Sequence, residues 1–202
     1  VYAVDLRGHN LTSRTPGAYR LPDYASDVAE FLQTVVGKQA YIAGHSLGGL
    51  VALWLAAQTP AWVSGLFLED PPLYITQPPR LQQTMFYGLF IFLRDYLHQH
   101  HAHGGTLAEM IPFVGQLPAN EKQTMLEAVG AEMVRRRTIE LQRMDPAILD
   151  PAIDGVLQGS DEIDDLLAQI RCPIHLLAAQ AELGGALTAE DVQRFDANAP
   201  RA

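Results

Sequence analysis

The chemistry of this chain is concentrated at one serine. Ser46 stands between Gly44 and Gly48, with an apolar run before it (40–43) and a longer one after it (50–57). The first run has the length of a buried strand and the second that of a buried helix, so the serine falls at a sharp turn. Side chains at both glycines would collide in so cramped a backbone. The spacing Gly-x-Ser-x-Gly in this context predicts a nucleophile at the C-terminal end of a strand.

A serine hydroxyl needs three kinds of help to act as a nucleophile at neutral pH. A histidine must take its proton, a carboxylate must orient that histidine, and N–H groups must stabilise the oxyanion that forms on the substrate. The residue after the serine, Leu47, is expected to donate one such N–H group. The predicted chemistry is acyl transfer through an acyl-enzyme.

Composition limits the class of protein. The 202 residues are 48% hydrophobic, which suffices for one sizeable core. Lys and Arg total 14 against 23 Asp and Glu, and the formal net charge of −9 argues against a nucleic-acid partner. The single cysteine, Cys172, excludes an internal disulfide framework and a multi-cysteine zinc site and fits a cytoplasmic protein. The most apolar run, 85–93, is too short for a membrane span, so no membrane association is expected.

Hydrophobic periodicity predicts alternating strands and helices. The expected strands are 1–4, 40–43, 66–68 and 174–178. His175 lies inside the last of them, where we expect it to be buried or half-buried. A helix after the first strand places five apolar residues on one face: Tyr24, Val28, Phe31, Leu32 and Val35.

Residues 73–168 show no strand-like alternation and carry several helical patterns. We call this segment the helical insertion. Asn120 is the expected N-cap of one of its helices, and Ser160 that of the last one.

The chain resembles a known family at its ends. The stretch from Val1 to His9, the turn at Ser46 and residues 66–72 closely resemble the α/β-hydrolase superfamily, and the resemblance returns at 172–185. It implies an α/β fold with a mostly parallel sheet, present here in part, and with helices on both faces.

The resemblance also implies how the chain is divided. Residues 1–72 and 169–202 would form the hydrolase core, and the helical insertion would cap the nucleophile. The family has further strands before and after those of this sequence, and its catalytic histidine follows the last of them. We therefore expect this sequence to be a fragment that is inactive alone.

Two carboxylates compete to orient the catalytic histidine. Glu182 stands nine positions after Pro173, where the family usually places an aspartate, although Ala179 replaces the family's glycine three positions earlier. Asp70 ends the preceding strand and holds the acid in some family members. Glu182 is favoured, and Asp70 is the alternative.

The family's catalytic histidine has no counterpart in this sequence. No histidine follows Glu182, although the expected order is nucleophile, acid, histidine. His45 adjoins the serine, and strand alternation should point it away from the position of a base. His9 lies on the loop after the first strand and is expected to line the floor of the pocket.

Two charged runs lie in the helical insertion. A histidine cluster ends one helix, where positive charge suits the helix dipole: His98, His100, His101 and His103. A metal site there would lack both cysteine and an ordered set of carboxylates, so no metal and no cofactor are expected. The arginine run 135–137 is interpreted as a solvated helix face.

The predicted function is that of a serine hydrolase of the esterase kind. A serine at position 46 excludes the reactions of epoxide hydrolases and haloalkane dehalogenases, in which an aspartate is the nucleophile. Apolar side chains at the start of the helical insertion favour a small apolar or aromatic acyl ester as substrate: Met85, Phe86, Tyr87, Leu89, Phe90 and Phe92. The alternatives are a non-catalytic ligand-binding protein and an acyltransferase or haloperoxidase on the same scaffold. The expected partner is a small molecule, and the sequence does not indicate an oligomeric state.

Overall fold

The computed structural model describes residues 1–120, 122–159 and 162–200. The strands are β1 (Ala40–His45), β2 (Val63–Glu69) and β3 (Ile174–Leu177). The helices are α1 (Leu21–Phe31), α2 (Leu47–Gln58), α3 (Met85–Ala102), α4 (Leu107–Gln116), α5 (Met125–Arg143), α6 (Asp150–Ile153), α7 (Ile163–Gln169) and α8 (Ala189–Asn198). Short 3-10 turns lie at Pro60–Trp62, Leu81–Gln83, Pro146–Leu149 and Ala181–Leu183, and a π-helical turn at Leu32–Val36 continues α1.

The three strands form one parallel sheet in the order β1-β2-β3. Their last residues are level, because Glu69 pairs with His45 on one side and with Leu177 on the other. The residues that follow β1 and β2, Ser46 and Asp70, therefore leave the sheet at the same edge. The predicted α/β class with a partial parallel sheet is confirmed.

The predicted strand at residues 1–4 is wrong. These residues form no β-ladder with any described part of the chain, and Val1 and Tyr2 are exposed. Tyr2 instead packs the edge of its ring on Phe31, with the ring centroids 5.4 Å apart. Aromatic and β-branched residues favour an extended backbone, but a strand exists only where a neighbour accepts and donates its hydrogen bonds.

The core lies between the sheet and α2. An unbroken run from Gly49 to Ala57 is buried, because α2 packs against β1 and β2 on one side and against α1 and α7 on the other. This agrees with the apolar character of the helix all round its circumference. The predicted cap of α7, Ser160, lies outside the described residues.

The predicted helix between the first two strands forms, with a shift at its end. Tyr24 and Leu32 are buried as expected, but Val35 is 55% exposed and Val36 packs on the core instead. The cause is the π-helical turn, which holds one more residue than an α-helical turn and so rotates the following side chains. Gly37 ends the helix in the left-handed region at φ +67°, where glycine is favoured.

The second face of the sheet is exposed in the described residues. The exposed side chains of Tyr41, Phe67 and Leu177 alternate with half-buried residues in β1 and β3 and with buried ones in β2. The expectation that His175 is buried or half-buried is wrong. Its ring is exposed and lies nearly parallel to that of Phe67, with centroids 4.9 Å apart. The described helices that pack on the sheet lie on the other face.

The helical insertion is anchored by caps that differ from the predicted one. Asn120 does not cap α5; its side-chain oxygen accepts from the N–H groups of Lys122 and Gln123 and closes a turn before the helix. Thr124 is the N-cap, and Glu127 reaches back to its N–H group in a capping box. None of the helices in the described ranges is long and apolar enough to cross a membrane.

One ion pair ties the start of the helical insertion to α8. The Arg80 guanidinium donates to both oxygens of Asp191, at 2.6 and 3.0 Å, and the Asp191 side chain is 3% exposed. The same carboxylate accepts from the N–H and hydroxyl groups of Thr188, the N-cap of α8. Burial favours the neutral acid, but these hydrogen bonds outweigh it and lower the pKa of Asp191.

We expect Asp191→Asn to lower the free energy of unfolding of the full-length protein by about 2 kcal/mol, because it removes a charge-assisted hydrogen-bond pair at a buried position. Urea denaturation measures this loss. Glu190→Gln, which changes the exposed neighbouring carboxylate, is the control and should stay within about 0.5 kcal/mol of the wild type.

The loss should also depend on pH. A carboxyl group whose pKa is lowered by folding contributes stability above its ordinary pKa of 3.8, and this stability disappears as the pH falls through the folded-state pKa. The difference between wild type and Asp191→Asn should therefore shrink below pH 3.8. A difference that stays constant down to the acid transition would contradict this role of the carboxylate.

Candidate active site

Ser46 occupies a sharp turn between β1 and α2. Its backbone has φ +52° and ψ −119°, a combination that residues other than glycine rarely adopt. The turn is held on both sides, because the Ser46 N–H donates to the Glu69 carbonyl at 3.0 Å and the Ser46 carbonyl accepts from Gly49 at 2.9 Å. Such strain persists only where the surroundings fix it, and it is typical of functional sites.

The glycines around the serine have different roles. A Cβ atom at Gly44 would collide with the backbone of Gly48, which is the predicted reason for a glycine at that position. A Cβ atom at Gly48 itself meets no atom within 4 Å, so the expectation of a collision there is wrong. The close approach comes instead at Gly49, where a Cβ atom would lie 2.9 Å from the Cβ of Pro71. In the sequence, the two consecutive glycines at 48–49 indicate this close approach.

The N-terminus of α2 supplies hydrogen-bond donors beside the serine. Leu47 is the first residue of the helix, and N–H groups in the first turn have no acceptor within their own helix. The helix dipole adds partial positive charge at this end. The geometry suits the predicted oxyanion role of the Leu47 N–H group. His45, on the other side of Ser46, is exposed at the end of β1.

Asp70 holds the loop that carries the other candidate acid. It is 9% exposed, and its oxygens accept from the N–H groups of Ala179, at 3.1 Å, and Ala186, at 2.8 Å. Its own N–H group donates to the Leu177 carbonyl at 2.7 Å. Both oxygens of this carboxylate are thus engaged in fixing the two ends of the loop 179–186.

Glu182 lies at the tip of that loop. It belongs to the 3-10 turn Ala181–Leu183 and is exposed, and its carboxylate has no hydrogen-bond partner in the described part of the chain. The loop is narrow, since a Cβ atom at Gly185 would lie 2.7 Å from the Ala179 carbonyl oxygen. The two candidate acids therefore have different environments. Both oxygens of Asp70 accept hydrogen bonds from backbone N–H groups, and Glu182 lies on the loop that these hydrogen bonds hold.

Across the described ranges, no histidine is hydrogen-bonded to the Ser46 hydroxyl. His9 is half-buried, and its Nδ1 lies 3.0 Å from the Arg7 carbonyl oxygen. A carbonyl only accepts, so Nδ1 is the donor and Nε2 of the neutral ring is an acceptor.

The loop that carries His9 is firmly held. The Arg7 guanidinium donates to Asp27 at 2.6 Å, and this hydrogen bond raises the pKa of Arg7. The Gly8 carbonyl accepts from the N–H group of Asp145 in the helical insertion at 2.8 Å. Asn10 adopts φ +47°, in the left-handed region that asparagine tolerates better than most residues. The loop and the insertion are thus joined directly.

A cavity of about 640 Å³ lies between this loop and the helical insertion. Its lining includes Asp5, His9 and Asn10 from the loop, and Leu89 from α3. His9 lines this cavity but Ser46 does not, so the expectation that His9 lines the floor of the nucleophile's pocket stays a prediction. Of the six apolar side chains at the start of the insertion, Leu89 alone is part of the lining, whereas Phe92 packs on Phe113 with centroids 5.6 Å apart.

The histidine cluster ends α3 as predicted but is not fully solvated. His98 and His103 are exposed, whereas His100 and His101 are half-buried. Burial lowers the pKa of His101. Among the described residues, no group of three or more His, Cys, Asp or Glu side chains is arranged to hold a metal ion.

Comparison with known proteins identifies the family to which the chain belongs. Residues 1–110 match the family described as alpha/beta hydrolase fold. Over 73 residues the chain is 37% identical to the 2-(acetamidomethylene)succinate hydrolase of Mesorhizobium japonicum, a match that covers 36% of this chain and 26% of that protein. The first curated relatives are matched over about a quarter of their length.

Solved structures extend the likeness over the whole chain. The N-formylmaleamic acid deformylase of Pseudomonas putida superposes with a TM-score of 0.69 at 23% identity, covering 97% of this chain and 68% of that one. An esterase of Exiguobacterium antarcticum superposes with a TM-score of 0.64 at 18% identity, covering 96% of this chain and 68% of that one. At these identities the likeness concerns the fold.

The contacts at Gly44 and Gly48 predict different effects on stability for alanine at the two positions. Gly44→Ala should destabilise the full-length protein by about 3 kcal/mol or more, because the new Cβ meets backbone that cannot rotate away. Gly48→Ala should leave the free energy of unfolding within about 1 kcal/mol of wild type or raise it, since the site is open and alanine favours helix. Urea denaturation of both variants measures the contrast, and equal losses would contradict it.

Proposed function

The chain belongs to the α/β-hydrolase fold family, and from that premise we propose that it is a serine hydrolase in which Ser46 attacks the acyl carbon of a small ester. The observation that carries the proposal is the strained turn at Ser46, with φ +52°, set between a parallel strand and the N-terminus of α2. Hydrolysis as the reaction class agrees with the name of the Mesorhizobium relative.

The proposed reaction has two halves. In the first, the Ser46 oxygen bonds to the acyl carbon while a histidine takes the hydroxyl proton, and the carbonyl oxygen becomes an oxyanion that the Leu47 N–H group stabilises. The bond to the leaving alcohol then breaks, and the alcohol departs with that proton. In the second half, water gives a proton to the same histidine and attacks the acyl-serine, which releases the acid and restores Ser46.

The acid that orients this histidine is proposed to be Glu182. Its carboxylate projects from a loop held at both ends, and no described residue competes for it. Asp70 supports the site differently, because its two oxygens fix the position of the loop. Asp70 is then a positioning residue, and its loss should act through Glu182.

The nucleophile is tested by Ser46→Ala in the full-length protein. Hydrolysis of 4-nitrophenyl butyrate should fall by a factor of about 10⁴ to 10⁶, because the acyl-enzyme cannot form. A fluorophosphonate probe should label the wild type stoichiometrically and leave this variant unlabelled. Ser26→Ala, which changes an exposed serine on α1, is the control and should keep both activity and labelling.

Each alternative predicts a distinct result. Hydrolysis that survives Ser46→Ala would mean that another residue is the nucleophile. A folded wild-type protein that binds ester analogues but is neither labelled nor active would be a non-catalytic binder.

The two candidate acids are distinguished by comparing Glu182→Gln with Asp70→Asn. Glu182→Gln should lower kcat by a factor of about 10⁴ without changing the free energy of unfolding, since the side chain is exposed. Asp70→Asn should lower the free energy of unfolding by roughly 1–3 kcal/mol, because its amide NH₂ would face a backbone N–H group. If Glu182→Gln is fully active and Asp70→Asn is inactive though folded, Asp70 is the acid.

A further inference from the structure

The cavity beside the loop that carries His9 is apolar on two of its sides. Leu89 and Leu93 of α3, with Val114 and Leu117 at the end of α4, contribute to these walls. A volume of about 640 Å³ is in the range of sites that enclose a small organic molecule. An occupant of this cavity would place hydrocarbon against α3 and α4.

The remaining wall carries positive charge. Three arginines from the second half of α5 line the cavity: Arg136, Arg137 and Arg143. Two carboxylates share the lining, Asp5 and Glu140. Cations thus outnumber anions in this cavity, in a chain whose formal net charge is −9.

Only one of these cations lacks a partner within the described residues. Arg136 donates to Glu132 at 3.1 Å, one turn earlier on the helix. Arg143 donates to the side-chain oxygen of Asn10 at 2.8 Å. Arg137 makes no hydrogen bond and no ion pair with another described side chain.

Asp5, the other lining carboxylate beside Glu140, is hydrogen-bonded to the loop. It accepts from the Asn10 amide at 2.6 Å. Asn10 therefore connects Asp5 to Arg143, and this relay joins the loop to α5. Arg143 is thus engaged in this relay, whereas Arg137 takes no part in it.

We propose that this cavity binds the carboxylate end of an acyl substrate and that Arg137 recognises that carboxylate. The proposal rests on the proposed hydrolase function and names its substrate class: small esters of an acid that carries a second carboxylate on an apolar chain. The planar guanidinium matches a carboxylate through two parallel hydrogen bonds. Arg137 is exposed, so a ligand can reach its guanidinium from solvent.

The arginine run itself offers a matched control. Arg135 and Arg137 are both exposed, but only Arg137 lines the cavity, since residues two positions apart on an α-helix point about 200° apart. Arg135→Ala and Arg137→Ala therefore remove the same charge from the same helix, and only the second removes it from the cavity.

The experiment uses the full-length protein and a pair of esters, 4-nitrophenyl hydrogen adipate and the uncharged 4-nitrophenyl heptanoate. The measured quantity is the ratio of their kcat/KM values at fixed ionic strength. Arg137→Ala should lower this ratio about 10- to 100-fold, the effect of losing a charge-assisted hydrogen-bond pair. Arg137→Lys should recover part of it, and Arg135→Ala should leave it at the wild-type value.

A binding measurement separates this proposal from the hydrolase function. Calorimetric titration with adipate should show binding to the wild type that weakens 10-fold or more in Arg137→Ala and is unchanged in Arg135→Ala. If neither ester is hydrolysed but adipate binding depends on Arg137, the hydrolase function fails and the carboxylate site stands. If the ester ratio and adipate binding are the same in the Arg137→Ala and Arg135→Ala variants, the carboxylate site is overturned.

Discussion

The close approach of two backbone segments, at Gly44 and Gly48, is the constraint on which the site depends. It lets β1 pass into α2 through a single residue, so that Ser46 lies at the end of the strand and beside the first N–H groups of the helix. A longer turn would separate the hydroxyl from those donors. The positive φ of Ser46 is the local cost of this arrangement, and the buried run of α2 supplies the packing that holds it.

At the same edge of the sheet, the loop after β3 is held by a carboxylate rather than by backbone pairing between strands. Asp70 leaves β2 with φ +43° and uses both oxygens to hold the loop after β3. An aspartate at the end of a strand has the same sequence appearance whether it orients a histidine or clamps a loop. The sequence could therefore name Asp70 and Glu182 as candidates, but only the hydrogen bonds show that one carboxylate positions the loop of the other.

Local signals in the sequence predicted the local structure well. The turn at Ser46 and the buried helix after it follow from residue types and periodicity, and the parallel sheet follows from the resemblance to the family. The errors have nonlocal or subtle causes. A strand at residues 1–4 requires a neighbour, the exposure of His175 depends on what covers the second face of the sheet, and Val35 turned outward because of one π-helical turn. Glu127, three residues after Thr124, indicates the N-cap at Thr124, but Asn120 was predicted to be the N-cap instead.

The arginine run also shows which properties follow from the local sequence and which depend on the packing of distant segments. Three consecutive arginines on an exposed helix are ordinarily a solvated face, and the net charge of −9 argues against a nucleic-acid partner for the chain as a whole. The first inference agrees with the structure, since Arg135, Arg136 and Arg137 are all exposed. The kink of α5 at Gly130, with φ +78°, precedes the arginines. What the sequence does not show is that two of them, Arg136 and Arg137, line a cavity together with apolar side chains of α3 and α4, because that depends on how the helices of the insertion pack.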